Sequence, residues 1–298
     1  MIRLALIGDN IRASRSPDLH RACAKIAGID LRYDLLIPPA LGMEFDAVFA
    51  EAARSCDGIN VTLPYKERVV PKVQVHDPAV ARIGAVNTVV FGPEGPRGYN
   101  TDYSGFIAAY RAAFGALAPG HAVIIGAGGV GKAVAFGLVA LGATRITVID
   151  ADNARAAALA RAVSESGPGA TVAQAGDLAA LTGADGVINC TPLGMHGYSG
   201  SPVPEGLFPK GVWAFDAVYT PTDTPFRAQA LAAGARFLSG WELFFHQGID
   251  AFEIFTGRRP GDLGRLRAML GGPDPSPVPP EPGSPPSRQA GSAGAKDR

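Results

Sequence analysis

Residues 121–133 read HAVIIGAGGVGKA, and this stretch decides the fold. Ala122 to Ile125 form an apolar run of strand length, and Gly126, Ala127, Gly128, Gly129, Val130 and Gly131 match G-x-G-x-x-G. The chain that follows is rich in Ala and Val and predicts a helix. A strand that runs into this glycine pattern and opens a helix is the context of a dinucleotide-binding turn. Gly126 permits the tight turn, Gly128 lets a pyrophosphate approach the backbone, and Gly131 lets the helix pack on the strand. The helix N-terminus then offers its free N–H groups to phosphates. A plain packing turn would explain the glycines but not their flanks.

Downstream, the strand runs RITVID, TVAQA, GVINC and WAFDAV alternate with Ala-rich helical segments. That alternation predicts parallel strands joined by right-handed crossovers, hence an α/β, doubly wound Rossmann sheet. RITVID ends in Asp150, nineteen positions after Gly131, where the ribose-binding acid of such a turn belongs. Its carboxylate can accept the ribose hydroxyls and would repel a 2′-phosphate, with Asp152 adding a second negative charge. Asp152 or Asn153 also suits a helix cap. Arg155 is the nearby cation and softens that discrimination. The expected cofactor is NAD, with NADP as the alternative.

Upstream lies a second α/β unit. Ile2 to Ile7 reads as a buried strand. SPDLHRACAKIAG reads as a helix, with Ser16 as cap, Pro17 at its first position and Gly28 as its stop. LRYDLLI alternates like a strand. AVNTVVF, GPEGPRG and GYNTD read as a strand, a reversal and a return, followed by a helix from about Asp102 to Phe114. Near Gly240 the pattern becomes a long helix to Gly257 and a shorter one after Pro260. The expected division is 1–101, 102–237 for the Rossmann unit, 238–270 for C-terminal helices returning to the first domain, and 271–298 as a disordered Pro/Gly-rich tail.

Bulk composition excludes other classes. Lys+Arg and Asp+Glu are both 27, so there is no electrostatic footprint for nucleic acid or an anionic membrane. The apolar run from Ala122 to Ala143 carries Lys132 and the glycine cluster, which disfavours a membrane span. The opening MIRLALIGDN is too short for a signal peptide. Cys23, Cys56 and Cys190 lack metal-ligand spacing and suit reduced thiols in a cytoplasmic protein, so no metal is expected.

Two polar stretches precede the Rossmann unit: GINVTLPYK (Gly58–Lys66) and GAVNT…GYNTDYSGF (Gly84–Phe106). They carry the opposite charges Lys66 and Asp102 among amides and hydroxyls. ASRSPDLH (Ala13–His20) and Gln247 add further polar groups. Taken singly, each of these residues suits a turn, a strand or an exposed helix face better than a site.

Together these motifs resemble the shikimate dehydrogenase family. The resemblance rests on SRSP (14–17), NVTLPYK (60–66), GAVNT (84–88), NTD (100–102), GAGGVGKA (126–133), NCTPLGM (189–195), DAVYTPTDTP (216–225) and HQGIDAFEIFTG (246–257). It implies that Ser14 and Ser16 bind a substrate carboxylate. Thr62, Asn87 and Gln247 would hold ring hydroxyls, with Tyr219 lining the same pocket. Lys66 and Asp102 would form an acid–base dyad. Asn189, Thr191, Leu193 and Met195 would lie on the nicotinamide side, with Val218 and Gly240 also lining the cofactor site.

The sequence departs from the family pattern at Asn10, Ala13 and Leu243. It departs most at Asp150-Ala151-Asp152, where an Asn-Arg-Thr that clamps the NADP phosphate is usual. The acidic pattern resembles the NAD-preferring branch acting on quinate and shikimate. The expectation is an NAD-preferring shikimate dehydrogenase with quinate as a second substrate, working as a monomer or homodimer. Its alternatives are an NADP-dependent enzyme of aromatic amino acid biosynthesis and a metabolite sensor of the same fold.

Overall fold

A computed structural model describes residues 1–166 and 171–272 of the chain. In chain order the first part contains β1 (Ile2–Ile7), α1 (Ser16–Ala27), β2 (Leu31–Leu36), the short α2 (Pro38–Leu41), α3 (Phe45–Ser55), β3 (Gly58–Val61), α4 (Pro78–Ile83), β4 (Thr88–Gly92) and β5 (Gly95–Tyr99). Its sheet has the order β2-β1-β3-β4-β5. β1 pairs in parallel with β2 and β3, whereas β4 runs antiparallel to β3 and β5. The predicted reversal at GPEGPRG is the β4–β5 hairpin.

α5 (Thr101–Phe114) leads to the second sheet through β6 (His121–Ile125), α6 (Gly129–Ala140), β7 (Arg145–Ile149), α7 (Asn153–Ser164), β8 (Val172–Ala175), β9 (Gly186–Asn189), β10 (Trp213–Asp216), α8 (Pro225–Ala232) and β11 (Arg236–Ser239). All pairs in this sheet are parallel, in the order β11-β10-β9-β6-β7-β8. β6 is central and Ala122–Ile125 are buried, which is why it reads as an unbroken apolar run rather than an alternating one. The strand order reverses between β6 and β9, and that switch point is where doubly wound sheets bind ligands.

α9 (Gly240–Thr256) and α10 (Leu263–Met269) turn back to the first part. Leu19 and Cys23 of α1 share a core with Trp241, Phe244, Phe245, Ile249, Phe252 and Leu266. α9 also crosses α5 closely. A Cβ on Gly105 would lie 2.7 Å from the Gln247 backbone nitrogen, so only glycine allows these helices to meet there. Among the described residues no helix is long and apolar enough to cross a membrane.

Two local expectations need correction. Ser16 is the first helical residue of α1 rather than its cap; Arg15 precedes it, and no side chain caps the helix. Ser16 instead receives a hydrogen bond from Ser14. The strand β11 (Arg236–Ser239) does not stand out in the sequence because it runs straight into α9 at Gly240. The Rossmann sheet therefore extends past position 237. The tail predicted over 271–298 lies outside the described residues except for Gly271 and Gly272. The backbone N–H groups of those two glycines bond to Ala268 and Arg267 at the end of α10.

Candidate active site

The glycine-rich turn sits at the C-terminal ends of β6 and β9. Gly126 has φ +107°, and a Cβ there would lie 2.6 Å from the Cys190 carbonyl carbon. A Cβ on Gly131 would approach the Gly126 oxygen to 1.9 Å. Both positions therefore exclude a side chain. Gly128 differs: a Cβ there would meet only the Arg155 guanidinium, at 3.8 Å. The cradle is open at the position where a pyrophosphate must approach, so the residues present fit a dinucleotide.

Asp150, just past β7, accepts the Ala127 N–H at 2.6 Å and the Asp152 N–H at 2.9 Å. Its carboxylate thus lies against the turn, as the Gly131 spacing predicts. Asp152 caps α7 by accepting from Ala154 and Arg155 N–H. Both acids therefore hold backbone as well as presenting charge.

Lys66 lies beyond the Leu63–Pro64 turn that ends β3. Its ammonium contacts Asp102 at 2.6 Å, and the two side chains are only 13% and 8% exposed. Asp102 sits in the first turn of α5, whose cap is Asn100. Asn100 also donates to the Ala85 carbonyl at 2.8 Å, tying the start of α5 to the GAVNT loop. The lysine stem lies against the glycine-rich turn at Gly129. The structure therefore brings the two opposite charges together at the edge of the dinucleotide cradle.

Of the polar residues predicted nearby, Asn87 and Gln247 join one hydrogen-bonded network. Asn87 donates to Thr101 Oγ1 at 3.0 Å, and Thr101 reaches Gln247 Oε1 at 3.3 Å. Thr88 donates to Asn87 Oδ1 at 2.9 Å, and Asn60 donates to Thr88 at 3.0 Å. Tyr33 closes the chain by donating to Asn60 Oδ1 at 2.8 Å. Thr62 anchors the lysine turn, with its N–H on Ile7 O at 2.9 Å and its carbonyl accepting Tyr65 N–H at 2.8 Å. Ser14 and Ser16 lie 3.2 Å apart, oxygen to oxygen. The Tyr219 hydroxyl faces Ser14 and the Arg15 backbone, and its ring stacks on Phe244 at 4.8 Å.

At the C-terminal ends of β9 and β10, Asn189 donates to Asp216 at 2.9 Å and to the Leu193 carbonyl at 3.1 Å. It also accepts from the Thr191 N–H and hydroxyl. Val218 N–H and Thr224 Oγ1 donate to Asp216 as well. Burial raises the Asp216 carboxyl to about 6 against these three donors. Gly240 packs on this strand end: a Cβ there would lie 2.6 Å from the Ala217 and 2.7 Å from the Asp216 backbone carbonyl oxygen. Met195 stands two residues past Leu193, with its N–H on Pro192 O. Burial pushes the Cys190 thiol up, which suits a packed hydrophobe rather than a reactive group.

Sequence reasoning overlooked Thr101, Thr88, Asn60, Tyr33 and Asp216. Thr101 stands inside the NTD motif, Thr88 ends GAVNT, and Asn60 and Asp216 each begin a motif, so the signal was present for these four. Tyr33 sits on a strand whose alternation marks it only as core.

Residues 6–89 match the family model of the shikimate dehydrogenase substrate binding domain. Residues 122–200 match the model of the saccharopine dehydrogenase NADP binding domain. The chain is 39% identical to the quinate/shikimate dehydrogenase (NAD(+)) of Corynebacterium efficiens, covering 90% of this chain and 97% of that protein. It is also 39% identical to the shikimate dehydrogenase (NADP(+)) of Streptomyces avermitilis, covering 88% and 93%. Among solved structures, quinate dehydrogenase from Corynebacterium glutamicum in complex with NAD superposes with a TM-score of 0.81 at 35% identity, covering 90% and 98%. Shikimate 5-dehydrogenase from Thermus thermophilus in complex with NADP(H) and shikimate gives 0.80 at 32%, covering 91% and 99%. The chain belongs to the shikimate/quinate dehydrogenase family of NAD(P)-dependent oxidoreductases.

Proposed function

We propose that the chain oxidises a ring hydroxyl of shikimate, accepts quinate as a second substrate, and prefers NAD. The observation that carries the chemistry is the 2.6 Å Lys66–Asp102 pair. It lies between the glycine-rich turn and the network through Asn87, Thr101 and Gln247. The two sheets support a substrate-binding part over 1–101 and a dinucleotide part from 102, with its end moved to Ser239 to include β11. α9 and α10 then serve the first part.

The bound dinucleotide supplies the hydride acceptor. Lys66 and Asp102 take the proton from the substrate hydroxyl and return it in the reverse direction. They act as one coupled unit, because a proton placed on either changes the charge seen by the other. Thr62, Asn87 and Gln247 hold the ring hydroxyls, so that the reacting oxygen meets the dyad. Ser14 and Ser16, with Tyr219 beside them, receive the carboxylate. Gly126 to Gly131 cradle the pyrophosphate, and Asp150 takes the adenosine ribose. Asn189, Thr191, Leu193, Met195, Val218 and Gly240 line the nicotinamide side.

The NAD preference rests on Asp150 and Asp152, because the relatives at equal identity include both NAD and NADP enzymes. Two carboxylates beside the ribose oppose a 2′-phosphate by charge. The test is an assay of purified protein with shikimate and quinate, each with NAD⁺ and NADP⁺. Turnover chiefly with NAD⁺ is expected. Turnover only with NADP⁺ overturns the preference and leaves the dyad. Binding without turnover in all four mixtures overturns the dyad and favours a sensor.

A further inference from the structure

Glu67 follows Lys66 directly, yet it pairs with the other half of the molecule. Its carboxylate contacts Lys132 Nζ at 2.9 Å and Arg155 Nη2 at 3.5 Å. Lys132 lies in the first turns of α6 and Arg155 in the first turn of α7. These are the two helices whose N-termini flank the glycine-rich turn and Asp150. The Arg155 guanidinium also stands 3.8 Å from where a Cβ on Gly128 would lie. Glu67 thus links the lysine-bearing turn to the starts of both helices beside the dinucleotide cradle.

The Lys66 turn is held on its own side by the Val86 N–H on the Lys66 carbonyl at 2.8 Å. On the far side its stem only touches Gly129, a contact with no directional bond. Glu67 supplies the directional link. We infer that Glu67 is a positioning residue: by bridging Lys132 and Arg155 it fixes Lys66 against the dinucleotide cradle. Productive dyad geometry and dinucleotide binding are then mutually dependent. Two half-exposed ion pairs are weak in isolation. Their leverage comes from where they act, since small displacements of a reacting group cost rate steeply.

The kinetic test rests on the dehydrogenase function proposed above. It compares Glu67→Gln, Lys132→Met and the double variant. Glu67→Gln is expected to lower kcat/KM roughly three- to tenfold, the range such pairs can carry, with a raised KM for the dinucleotide. The shape of the pH–rate profile should stay unchanged. The double variant should be no worse than the poorer single one. The gap between wild type and Glu67→Gln should close as salt rises, because exposed pairs are screened. Losses that multiply, or a Glu67→Gln enzyme with wild-type rates, overturn the inference.

If the wild type turns nothing over, the proposed function fails by itself and small-angle scattering decides. A larger radius of gyration for Glu67→Gln than for wild type supports the bridge, and equal radii overturn it.

Discussion

The stem of Lys66 rests on Gly129: a Cβ at that glycine would lie 3.2 Å from Lys66 Cδ and 3.3 Å from its Cβ. The lysine head is meanwhile fixed on Asp102 of α5 at 2.6 Å. The proposed acid–base group is therefore clamped between the helix that follows the substrate sheet and the turn that would receive the dinucleotide. One side chain thus touches both elements.

Gly129→Ala tests that clamp. The residue opens α6 and its φ is not positive, so alanine suits the backbone and would add about 0.4–1 kcal/mol by restricting the unfolded chain. The methyl group, however, must displace a lysine whose head cannot follow. Tm is expected to hold or rise while kcat falls on the order of tenfold, by the steep cost of misplacing a reacting group. Equal kcat in the two proteins, measured at saturating substrate and dinucleotide, would show that the stem has slack.

Lys66→Ala should lower kcat by on the order of 10²-fold or more, with a smaller change in KM, as loss of an acid–base group does. Asp102→Asn keeps the shape of the partner and should cost a comparable factor. Steady-state rates decide this. Full activity in Asp102→Asn would leave Lys66 acting alone.

Much of this was legible in the sequence because its signals are local. The strand before Gly126, the glycine spacing and the position of Asp150 all lie within thirty residues, and each maps onto one turn of backbone. The Lys66–Asp102 pair was reached through motifs instead: nothing between positions 66 and 102 encodes their contact, which the antiparallel β3–β4–β5 ladder creates. Glu67 was invisible for the same reason. Its partners lie 65 and 88 positions away (132 − 67 and 155 − 67) on the other sheet's helices, and a glutamate on a turn reads as ordinary surface. β11 escaped because it runs directly into α9 at Gly240 with no turn between them, so no punctuation separates its four residues from the helix.

Asp150→Ala should narrow the preference for NAD over NADP. Because Asp150 also accepts the Ala127 and Asp152 N–H groups, the variant loosens the turn and weakens both dinucleotides. The informative quantity is the ratio of kcat/KM values, expected to move toward NADP by roughly tenfold, about the effect of one strong charged contact. An unchanged ratio with both values lowered would assign Asp150 to holding the turn alone.

The last prediction concerns acid stability and arises from His20. It is 2% exposed, stacked on Tyr33 at 4.6 Å, and its Nδ1 has no partner among the described residues. Burial lowers it from 6.5 to about 3, against a smaller raising effect from Asn60. The folded protein therefore holds the ring neutral, whereas the unfolded chain protonates it near 6.5. Stability is fully present above that pH and declines as pH falls toward about 3, by about 2 kcal/mol at pH 5. Asp216 works in the opposite sense. Raised from 3.8 to about 6 by burial, it favours the folded state at low pH, and that benefit is lost as pH rises from 3.8 through about 6. The two effects overlap, so wild-type stability alone cannot separate them. His20→Phe retains the stacking ring and removes the proton site while leaving Asp216 in place. Calorimetry at pH 7 and pH 5 should show Tm falling less on acidification in His20→Phe than in wild type. Equal falls in the two proteins would mean that the acid sensitivity originates elsewhere.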